Sequence, residues 1–326
     1  NSPFSVRIEK TREWSEKTME KFMKRTGVVA ILALVCCALW GSAFPCVKIG
    51  YDLFCIEDVG SQILFAGYRF FLAGVFTWIL GCFFEKRILT MKKSSVPYVC
   101  GQGLLQTTLQ YLFFYIGLAN TTGAKGSVIN ASNAFVSIIV ASFLIKSEKM
   151  TWRKAIGCMI GFAGVILVNL APGGWGDGFR LTGEGFVFIC AVFYGTSSVT
   201  LKLISHRESP MTLTAYQLLF GGGILALIGF AAGGHVTGFH VQSTLLLVYL
   251  ALLTTISFCI WTTLLKYNPV GKVTVFAFSI PVFGVALSAI LLGEQIGSVK
   301  TLAALVLVSI GIVIVNREKP VLANEK

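Results

Sequence analysis

The chain has 326 residues, of which 55% are hydrophobic and only 13% are charged, and its formal net charge is +12. A soluble domain of this length needs far more surface charge, so the composition excludes that class and predicts an integral membrane protein. The basic residues lie in short clusters between apolar runs, a pattern typical of membrane orientation that excludes a nucleic-acid-binding face.

The first 26 residues carry charges of both signs. Glu13 and Lys17, like Glu20 and Lys24, are spaced to form favourable pairs on one helix face. We predict that residues 1–26 form a cytoplasmic tail, either a short amphipathic helix on the membrane surface or a disordered segment.

Ten apolar runs follow, and each has about the 20 residues that a helix needs to cross the hydrocarbon core of a bilayer. The connections between the runs are mostly too short to hold a folded domain, and residues 317–326 form a second tail. The runs cover residues 28–48, 62–84, 96–119, 123–145, 152–170, 183–204, 211–232, 243–265, 270–292 and 299–316.

The distribution of lysine and arginine orients these runs. With the N-terminus inside, 22 of the 27 basic residues fall on the cytoplasmic side and four on the outer side, while Arg69 lies within the second run. Cytoplasmic segments carry the excess of basic residues in membrane proteins. We therefore predict a multi-pass protein of the cell membrane with both termini in the cytoplasm.

The sequence repeats itself after five runs. Residues 39–48 correspond to residues 193–202 at an offset of 154. Because five is an odd number, the two units, 27–170 and 183–316, insert in opposite orientations. Inverted repeats of this kind form substrate sites near the bilayer midplane. The predicted fold is therefore all-α, with ten transmembrane helices arranged as two inverted five-helix repeats around a central cavity.

Four short motifs resemble those of the drug/metabolite transporter superfamily, EamA type. Residues 40–44 read Trp-Gly-Ser-Ala-Phe, residues 68–74 read Tyr-Arg-Phe-Phe-Leu-Ala-Gly, and the turns at 147–148 and 293–294 both end in glutamate. The resemblance implies a ten-helix basket whose cavity is lined mainly by spans 1, 3, 4, 6, 8 and 9. It also implies export or exchange of amino acids, nucleobases, other metabolites or drugs.

Polar and aromatic side chains within the runs are the candidate cavity residues. Trp40 and Tyr194 occupy equivalent repeat positions, and they either stack on a planar substrate or pack beside neighbouring glycines. Arg69 lies about 10 Å deep in the second run, at about 1.5 Å per residue. It either binds an anionic group or donates to loop carbonyls near the outer mouth. Gln217 replaces it in the second repeat, so its role is not duplicated.

Two stripes of amide side chains mark the third and fourth runs. Gln102, Gln106 and Gln110 are spaced by four and share one helix face, which indicates either cavity lining or hydrogen bonding between helices. Asn130 and Asn133 lie on one face of the fourth run. Their donors and acceptors suit a zwitterion or a heterocycle, or else hold neighbouring helices together.

Further candidates lie in the eighth and ninth runs. Ser257 and Trp261 share a face of the eighth run, and Ser279 lies beside Pro281, which either frees a backbone carbonyl or only kinks the helix. Lys48 and Lys125 lie near span ends, and we expect their side chains to reach the membrane interface as anchors.

The expected partners are a small polar solute and the lipid bilayer. Gly157 and Gly161 in the fifth run form a GxxxG pattern, which permits close packing within the fold or across a homodimer. The nine cysteines show no metal-binding spacing, and no catalytic or cofactor-binding motif occurs. We therefore predict a protein that is not an enzyme and that uses neither a metal nor a cofactor.

These features predict a secondary transporter of small polar metabolites, such as amino acids or nucleobases, that works by alternating access. One alternative is an anion or organic-phosphate exchanger that uses Arg69 and the lysines. An alternative of another class is an intramembrane lipid-modifying enzyme. All carboxylates fall outside the centres of the runs, which favours facilitated diffusion or exchange over a carboxylate proton relay.

Overall fold

The computed structural model describes residues 20–145, 149–169, 180–205, 207–268, 273, 275–294 and 299–316. Over these residues the regular structure is entirely helical. Most of the N-terminal tail, the C-terminal tail and the Ser-Glu turn at 147–148 lie outside the described residues, so the predictions made for them stay predictions.

The helices follow the predicted apolar runs closely. The π-helical segment Leu104–Leu109 directly precedes the helix Gln110–Ala119, and the segment Leu181–Gly185 directly precedes the helix Phe186–Ile204. The helices in chain order are α1 (Thr26–Leu53), α2 (Val59–Glu85), α3 (Val96–Gly103), α4 (Gln110–Ala119), α5 (Gly123–Asn130), α6 (Asn133–Leu144), α7 (Trp152–Asn169), α8 (Phe186–Ile204), α9 (Pro210–Ala231), α10 (Val241–Tyr267), α11 (Ser279–Leu292) and α12 (Val299–Asn316).

Several helical segments are long and apolar enough to cross a bilayer. Among the described residues, two shorter apolar helices, Ser279–Leu292 and Val299–Val315, accompany them. The molecule is therefore a multi-pass helical membrane protein, and the count of ten spans stays a prediction. The six full-length segments are Thr26–Leu53, Val59–Glu85, Gly123–Leu144, Leu181–Ile204, Pro210–Ala231 and Val241–Leu264.

Polar cap residues explain where two of these helices begin. Asp58 precedes α2, and its carboxylate accepts a hydrogen bond from the Ser61 amide at 2.8 Å. Hydrogen bonds from Ser61 hold the pKa of the Asp58 carboxyl below its usual value. Ser209 caps α9 in the same way, and Pro210 fills the first helical position, where an amide hydrogen would have no helical partner.

Glycines bring α2 and α9 into close antiparallel contact. A Cβ atom on Gly67 would lie 2.3 Å from the amide nitrogen of Ala226, and one on Gly222 would lie 2.4 Å from that of Phe71. Because lipid provides no hydrophobic driving force between helices, such close backbone packing supplies much of their attraction. The pair is therefore held by contacts that only glycine permits.

The GxxxG pattern of α7 packs against α12 of the same chain. A Cβ atom on Gly157 would lie 2.9 Å from the carbonyl oxygen of Gly311, and one on Gly311 would lie 2.7 Å from the amide nitrogen of Gly161. Of the two uses expected for this pattern, the structure shows packing within the fold. The glycine face of α7 is therefore occupied within the chain, so the GxxxG pattern does not support a homodimer contact through this face.

The remaining helices form two groups. The α1 group consists of α1, α10 and α11, with α1 packed against both partners. The α8 group consists of α4, α6 and α8, together with α3 and α5, which contact α8 but pack more extensively on α9 and α11 respectively. In the first, a Cβ atom on Gly41 would lie 2.9 Å from the amide nitrogen of Gly284; in the second, one on Gly195 would lie 2.9 Å from that of Ser137. Each group is thus joined by a glycine at corresponding positions of α1 and α8.

Three of the predicted runs are interrupted, and the sequence indicated only the disturbance near Pro281 in the ninth run. The third run contains the π-helical segment Leu104–Leu109, and the fourth breaks between α5 and α6 at residues 131–132. In the ninth run, the 3-10 turn Val275–Phe278 directly precedes the α-helix Ser279–Leu292. Pro281 lies in the first turn of α11, where it needs no helical amide partner. Hydropathy measures how apolar a segment is and does not depend on the hydrogen-bond register of its backbone, so it cannot predict such interruptions.

Two adjacent glycines of α9 provide a test of the close packing. We expect Gly222→Ala to lower the free energy of unfolding by about 1–3 kcal/mol, the usual cost of overpacking. The added methyl group meets the backbone of Phe71, which cannot yield as a flexible side chain would. Thermal unfolding of the purified protein in detergent measures the effect.

The matched control is Gly223→Ala, whose Cβ atom would meet only the Phe71 ring, at 3.8 Å. We expect this variant to be unchanged or slightly stabilised, since alanine favours helix over glycine. Equal losses in both variants would contradict the proposed importance of the α2 and α9 contact.

Candidate functional site

The predicted site residues divide between the two groups of helices. Trp40, Ser257, Trp261 and Ser279 belong to the α1 group, whereas Gln106, Gln110, Asn130, Asn133 and Tyr194 belong to the α8 group. The two groups contact each other where α5 packs against α11 and against α1. A solute held between the groups would therefore have polar and aromatic side chains on both sides.

The aromatic residues on the α1 side form one cluster. The Trp40 ring packs edge-on against Trp261, with centroids 5.0 Å apart, and against Phe258 at 6.0 Å. Trp40, Trp261 and Tyr194 are all half-buried. The Trp40 ring thus packs on two aromatic residues of α10, and part of each of the three half-buried rings stays accessible.

The glutamine stripe runs along the π-helical segment. The Gln102 amide donates to Gln106 at 2.7 Å and to the carbonyl of Ser197 in α8 at 3.0 Å. The Thr200 hydroxyl donates to the Gln102 side-chain oxygen at 2.7 Å. Gln102 thus joins helices, whereas the buried side-chain oxygen of Gln110 has no hydrogen-bond partner among the described residues. Gln110 is the member of the stripe with an acceptor still unused.

Asn130 and Asn133 flank the break in the fourth run. Asn130 is the last residue of α5 and Asn133 the first of α6, and both are half-buried. The side-chain oxygen of Asn130 lies 3.6 Å from the Cys190 sulfur in α8. The Ser132 hydroxyl between them is buried and lacks a partner within the described part of the chain. Broken helices inside a membrane protein place backbone and side-chain polar groups where a solute can reach them.

The two serines of the α1 group are less available. The buried Ser257 hydroxyl donates to the carbonyl of Leu253 at 2.6 Å, within its own helix. Ser279 is buried at the first position of α11. Both lie in spans that the family resemblance implies as cavity walls, the eighth and the ninth, but the Ser257 hydrogen is already donated to the backbone.

Arg69 is buried at the centre of a network between helices. Its guanidinium donates to the Leu250 carbonyl at 3.2 Å, to the Tyr115 hydroxyl at 3.0 Å and to Thr254 Oγ1 at 3.1 Å. It also lies over the Phe70 ring, 4.8 Å from the centroid. The expectation of loop carbonyls as partners was wrong, because its partners belong to α4 and α10. Only 2% of Arg69 is exposed, which leaves it little access to a solute.

The lysines near the span ends bind protein groups, and their expected role as interface anchors stays a prediction. Lys48 donates to the carbonyls of Leu118 and Thr121 at 3.3 and 2.7 Å. Lys125 forms an ion pair with Glu184 at 3.0 Å. Glu184 lies in the π-helical turn before α8, at the edge of its span as expected, but its side chain is buried.

A polar cavity of about 430 Å³ opens at the end of the bundle that carries Lys48, called the Lys48 end below. Among the described residues, no group of three or more His, Cys, Asp and Glu side chains is placed to hold a metal ion. The cavity is lined by Lys48, Tyr51, Asp52, Ile56, Glu57, Gln62, Ala119, Leu292 and Glu294. Sequence reasoning did not single out this cavity, although Lys48 and Glu294 both belong to the motifs noted above.

Comparisons with known proteins agree with this architecture. The sequence profile of the EamA-like transporter family matches residues 27–170 and again residues 181–317. A protein of known crystal structure superposes with a TM-score of 0.66 at 18% identity, over 88% of this chain and 96% of that one, which shows the shared fold.

Three relatives are similar along most of their length. The uncharacterized transporter YetK of Bacillus subtilis is 26% identical over 79% of both chains. An uncharacterized transporter of Archaeoglobus fulgidus is 26% identical over 89% of this chain and 98% of its own. A probable amino-acid metabolite efflux pump of Escherichia coli is 26% identical over 88% of this chain and 93% of its own.

The helical bundle and these matches define the class as a multi-pass membrane transporter. More particularly, the chain belongs to the EamA-like transporter family, because the family profile covers most of its length. The resemblance to the drug/metabolite transporter superfamily is thereby confirmed. The names of the family and of the relatives are those of transporters rather than enzymes.

The Arg69 network predicts a structural role that a substitution can test. We expect Arg69→Gln to lower the free energy of unfolding by about 2–4 kcal/mol, because hydrogen bonds to charged groups contribute about 1.5–3 kcal/mol each and glutamine keeps part of the network. Thr254→Ala removes one of the three bonds and serves as the smaller perturbation. Thermal unfolding measures both variants.

The same substitution discriminates a direct role in charge recognition. If Arg69 is structural, binding of neutral, zwitterionic and anionic solutes falls together in Arg69→Gln. A loss confined to anions, in a protein that unfolds at the parent's temperature, would show instead that the guanidinium recognises solute charge.

Proposed function

We propose that this protein is a secondary transporter of small polar metabolites that works by alternating access as an exporter, facilitator or exchanger. The observation that carries the proposal is the division of the candidate residues between the α1 and α8 groups, which contact each other through α5 and α11. A motion of one group against the other would expose a solute between them first to one side of the membrane and then to the other.

Two inverted five-span repeats are part of this proposal. Gly41 of α1 meets the backbone of α11, and Gly195 of α8 meets that of α6, at positions related by the sequence repeat. The equivalent helices α2 and α9 pack on each other, as do α7 and α12. Contacts of this kind are those that a pseudo-two-fold axis in the membrane plane would generate.

The substrate class that we propose is neutral or zwitterionic, such as amino acids or nucleobases. Amide side chains at Gln110 and Asn133 offer donors and acceptors without net charge, and half-buried rings of Trp40 and Tyr194 suit a partly apolar solute. The E. coli and Salmonella typhimurium relatives named as probable amino-acid metabolite efflux pumps support this choice.

The anion-exchanger alternative receives less support from the geometry. Arg69 has three protein acceptors, while Lys48 and Lys125 contact carbonyls and a carboxylate. None of these three cations presents an evident free charge to an anion between the groups. We therefore keep the neutral or zwitterionic class as the proposal, in a cell-membrane protein with both termini in the cytoplasm.

Asn133 provides the sharpest test of the solute site. We expect Asn133→Ala to weaken binding of its solute about tenfold, since one hydrogen bond contributes about 1.4 kcal/mol. Binding is measured by thermal shift against a panel of amino acids and nucleobases, followed by counterflow in liposomes for each compound that stabilises the parent protein.

The matched control is Ser137→Ala, one turn further along α6. The Ser137 hydroxyl donates at 2.8 Å to the carbonyl of Asn133 in its own helix, so its loss should leave affinity within about twofold. Equal losses in the two variants, or unchanged affinity in Asn133→Ala, would place the solute elsewhere.

The coupling mode is a further part of the proposal. We expect net transport into proteoliposomes to continue when an imposed pH gradient is collapsed, because the candidate site contains no carboxylate to act as a proton relay. Glu184→Gln is the control for the nearest buried carboxylate, which is paired with Lys125. Transport that stops on collapse of the gradient would show proton coupling, and if Glu184→Gln abolished that dependence, Glu184 would be the coupling residue.

A further inference from the structure

The turn at residues 118–125, between α4 and α5, is the meeting point of charged side chains from distant parts of the chain. It ends one helix and begins the next, so it presents backbone carbonyls of α4 and backbone amides of α5. Cations are favourable near the C-terminus of a helix and anions near the N-terminus. Two of the side chains around this turn, Lys48 and Glu294, follow that rule.

Two of these side chains come from the α1 group. Lys48 of α1 donates to the carbonyls of Leu118 and Thr121, at 3.3 and 2.7 Å. Glu294, just after α11, accepts hydrogen bonds from the amides of Gly123 and Ala124, at 2.8 and 2.9 Å. The α1 group thus holds both sides of a turn that belongs to the α8 group.

A third side chain fixes the turn to its own group. Glu184, in the turn before α8, accepts from the Thr121 hydroxyl at 2.8 Å and from Lys125 at 3.0 Å. Its second oxygen accepts from the Arg180 amide at 2.8 Å. The turn is therefore tied to α8 through Glu184, and to α1 and α11 through Lys48 and Glu294.

Other contacts between the two groups lie at the same end. The Tyr51 hydroxyl of α1 donates to the carbonyl of Tyr115 in α4 at 2.7 Å, and the rings of Phe44 and Phe114 pack with centroids 5.4 Å apart. Lys48 and Glu294 also line the polar cavity at the Lys48 end. These contacts close the space between the groups from that end.

We propose that Glu294 and Lys48 form a latch on the turn at 118–125, and that this latch must release before the path between the two groups opens at the Lys48 end. The proposal rests on the alternating-access function, but it concerns a closure that exists whatever the solute is. Glu294 is the decisive member, because its carboxylate is the acceptor for two consecutive amides of the turn.

The test uses the native Cys46, which is buried in α1 two residues before Lys48. A membrane-impermeant maleimide is added to intact cells, and the labelled cysteines are identified by mass spectrometry. The exposed Cys55 lies at the same end and reports that the reagent reaches it; if Cys55 reacts only in inverted vesicles, the whole experiment is run there. Labelling of Cys46 is then compared in a Cys55→Ser background.

We expect Glu294→Ala and Glu294→Asp to raise the labelling rate of Cys46 about tenfold, the change in equilibrium that the loss of one charge-assisted hydrogen bond produces. The aspartate keeps the charge but is one methylene too short to reach both amides. Glu57→Gln is the matched control, because it removes a carboxylate from the same cavity wall without touching the turn.

Each outcome decides the question. Faster labelling in both Glu294 variants, with Glu57→Gln at the parent rate, supports the latch. Labelling at the parent rate in Glu294→Asp, or an equal rise in Glu57→Gln, overturns it. Only variants whose thermal unfolding matches the parent are compared, and Lys48→Gln replaces any Glu294 variant that fails this condition. Because no solute is added and every variant is labelled in the same cells, an error in the proposed substrate class would leave the comparison unchanged.

Discussion

Every backbone amide and carbonyl within a bilayer must find its partner inside the protein, because hydrocarbon offers none. An unbroken helix meets this requirement by itself, and each interruption creates polar groups that side chains must satisfy. At the turn between α4 and α5, Lys48 binds the carbonyls and Glu294 binds the amides. The position of these charges is thus a consequence of where two helices end and begin.

At two other interruptions, some buried polar atoms have no hydrogen-bond partner among the described residues. Next to the π-helical segment Leu104–Leu109, the side-chain amide of Gln102 donates hydrogen bonds to Gln106 and to a carbonyl of α8. The buried side-chain oxygen of Gln110, however, has no hydrogen-bond partner among the described residues. At the break between α5 and α6, the buried Ser132 hydroxyl also has no hydrogen-bond partner among the described residues. A buried polar atom without a partner costs free energy, so such atoms mark places where a water or a solute gains most by binding.

The sequence predicted the helices well because hydropathy and length alone define a span. The run predicted at 211–232 is helix Pro210–Ala231, and the run predicted at 299–316 is Val299–Asn316. It did not predict the partners of Lys125 or Glu294, since Glu184 and the turn at 123–124 are 59 and about 170 residues away and only the packing of α5, α8 and α11 brings them together. Repeat symmetry located Trp40 and Tyr194 but could not say which neighbours their rings would have.

The contacts within each group differ in kind from the contacts between the groups. This difference explains why a motion would separate the α1 group from the α8 group at the Lys48 end. Within each group, backbones meet directly at Gly41 and Gly195, and a shift along the helix would drive Cβ atoms into neighbouring backbone. Between the groups at the Lys48 end, the contacts are mainly side-chain hydrogen bonds and ring edges, which can break without distorting a helix. Along α11, however, a Cβ atom on Gly284 would lie 2.5 Å from Cβ of Ser127 in α5, and one on Gly123 of α5 would lie 2.5 Å from Oγ of Ser288, so α5 and α11 touch closely at two points. Breakable contacts at the Lys48 end and tight contacts along the crossing of α5 and α11 are what a rocking motion about that crossing requires.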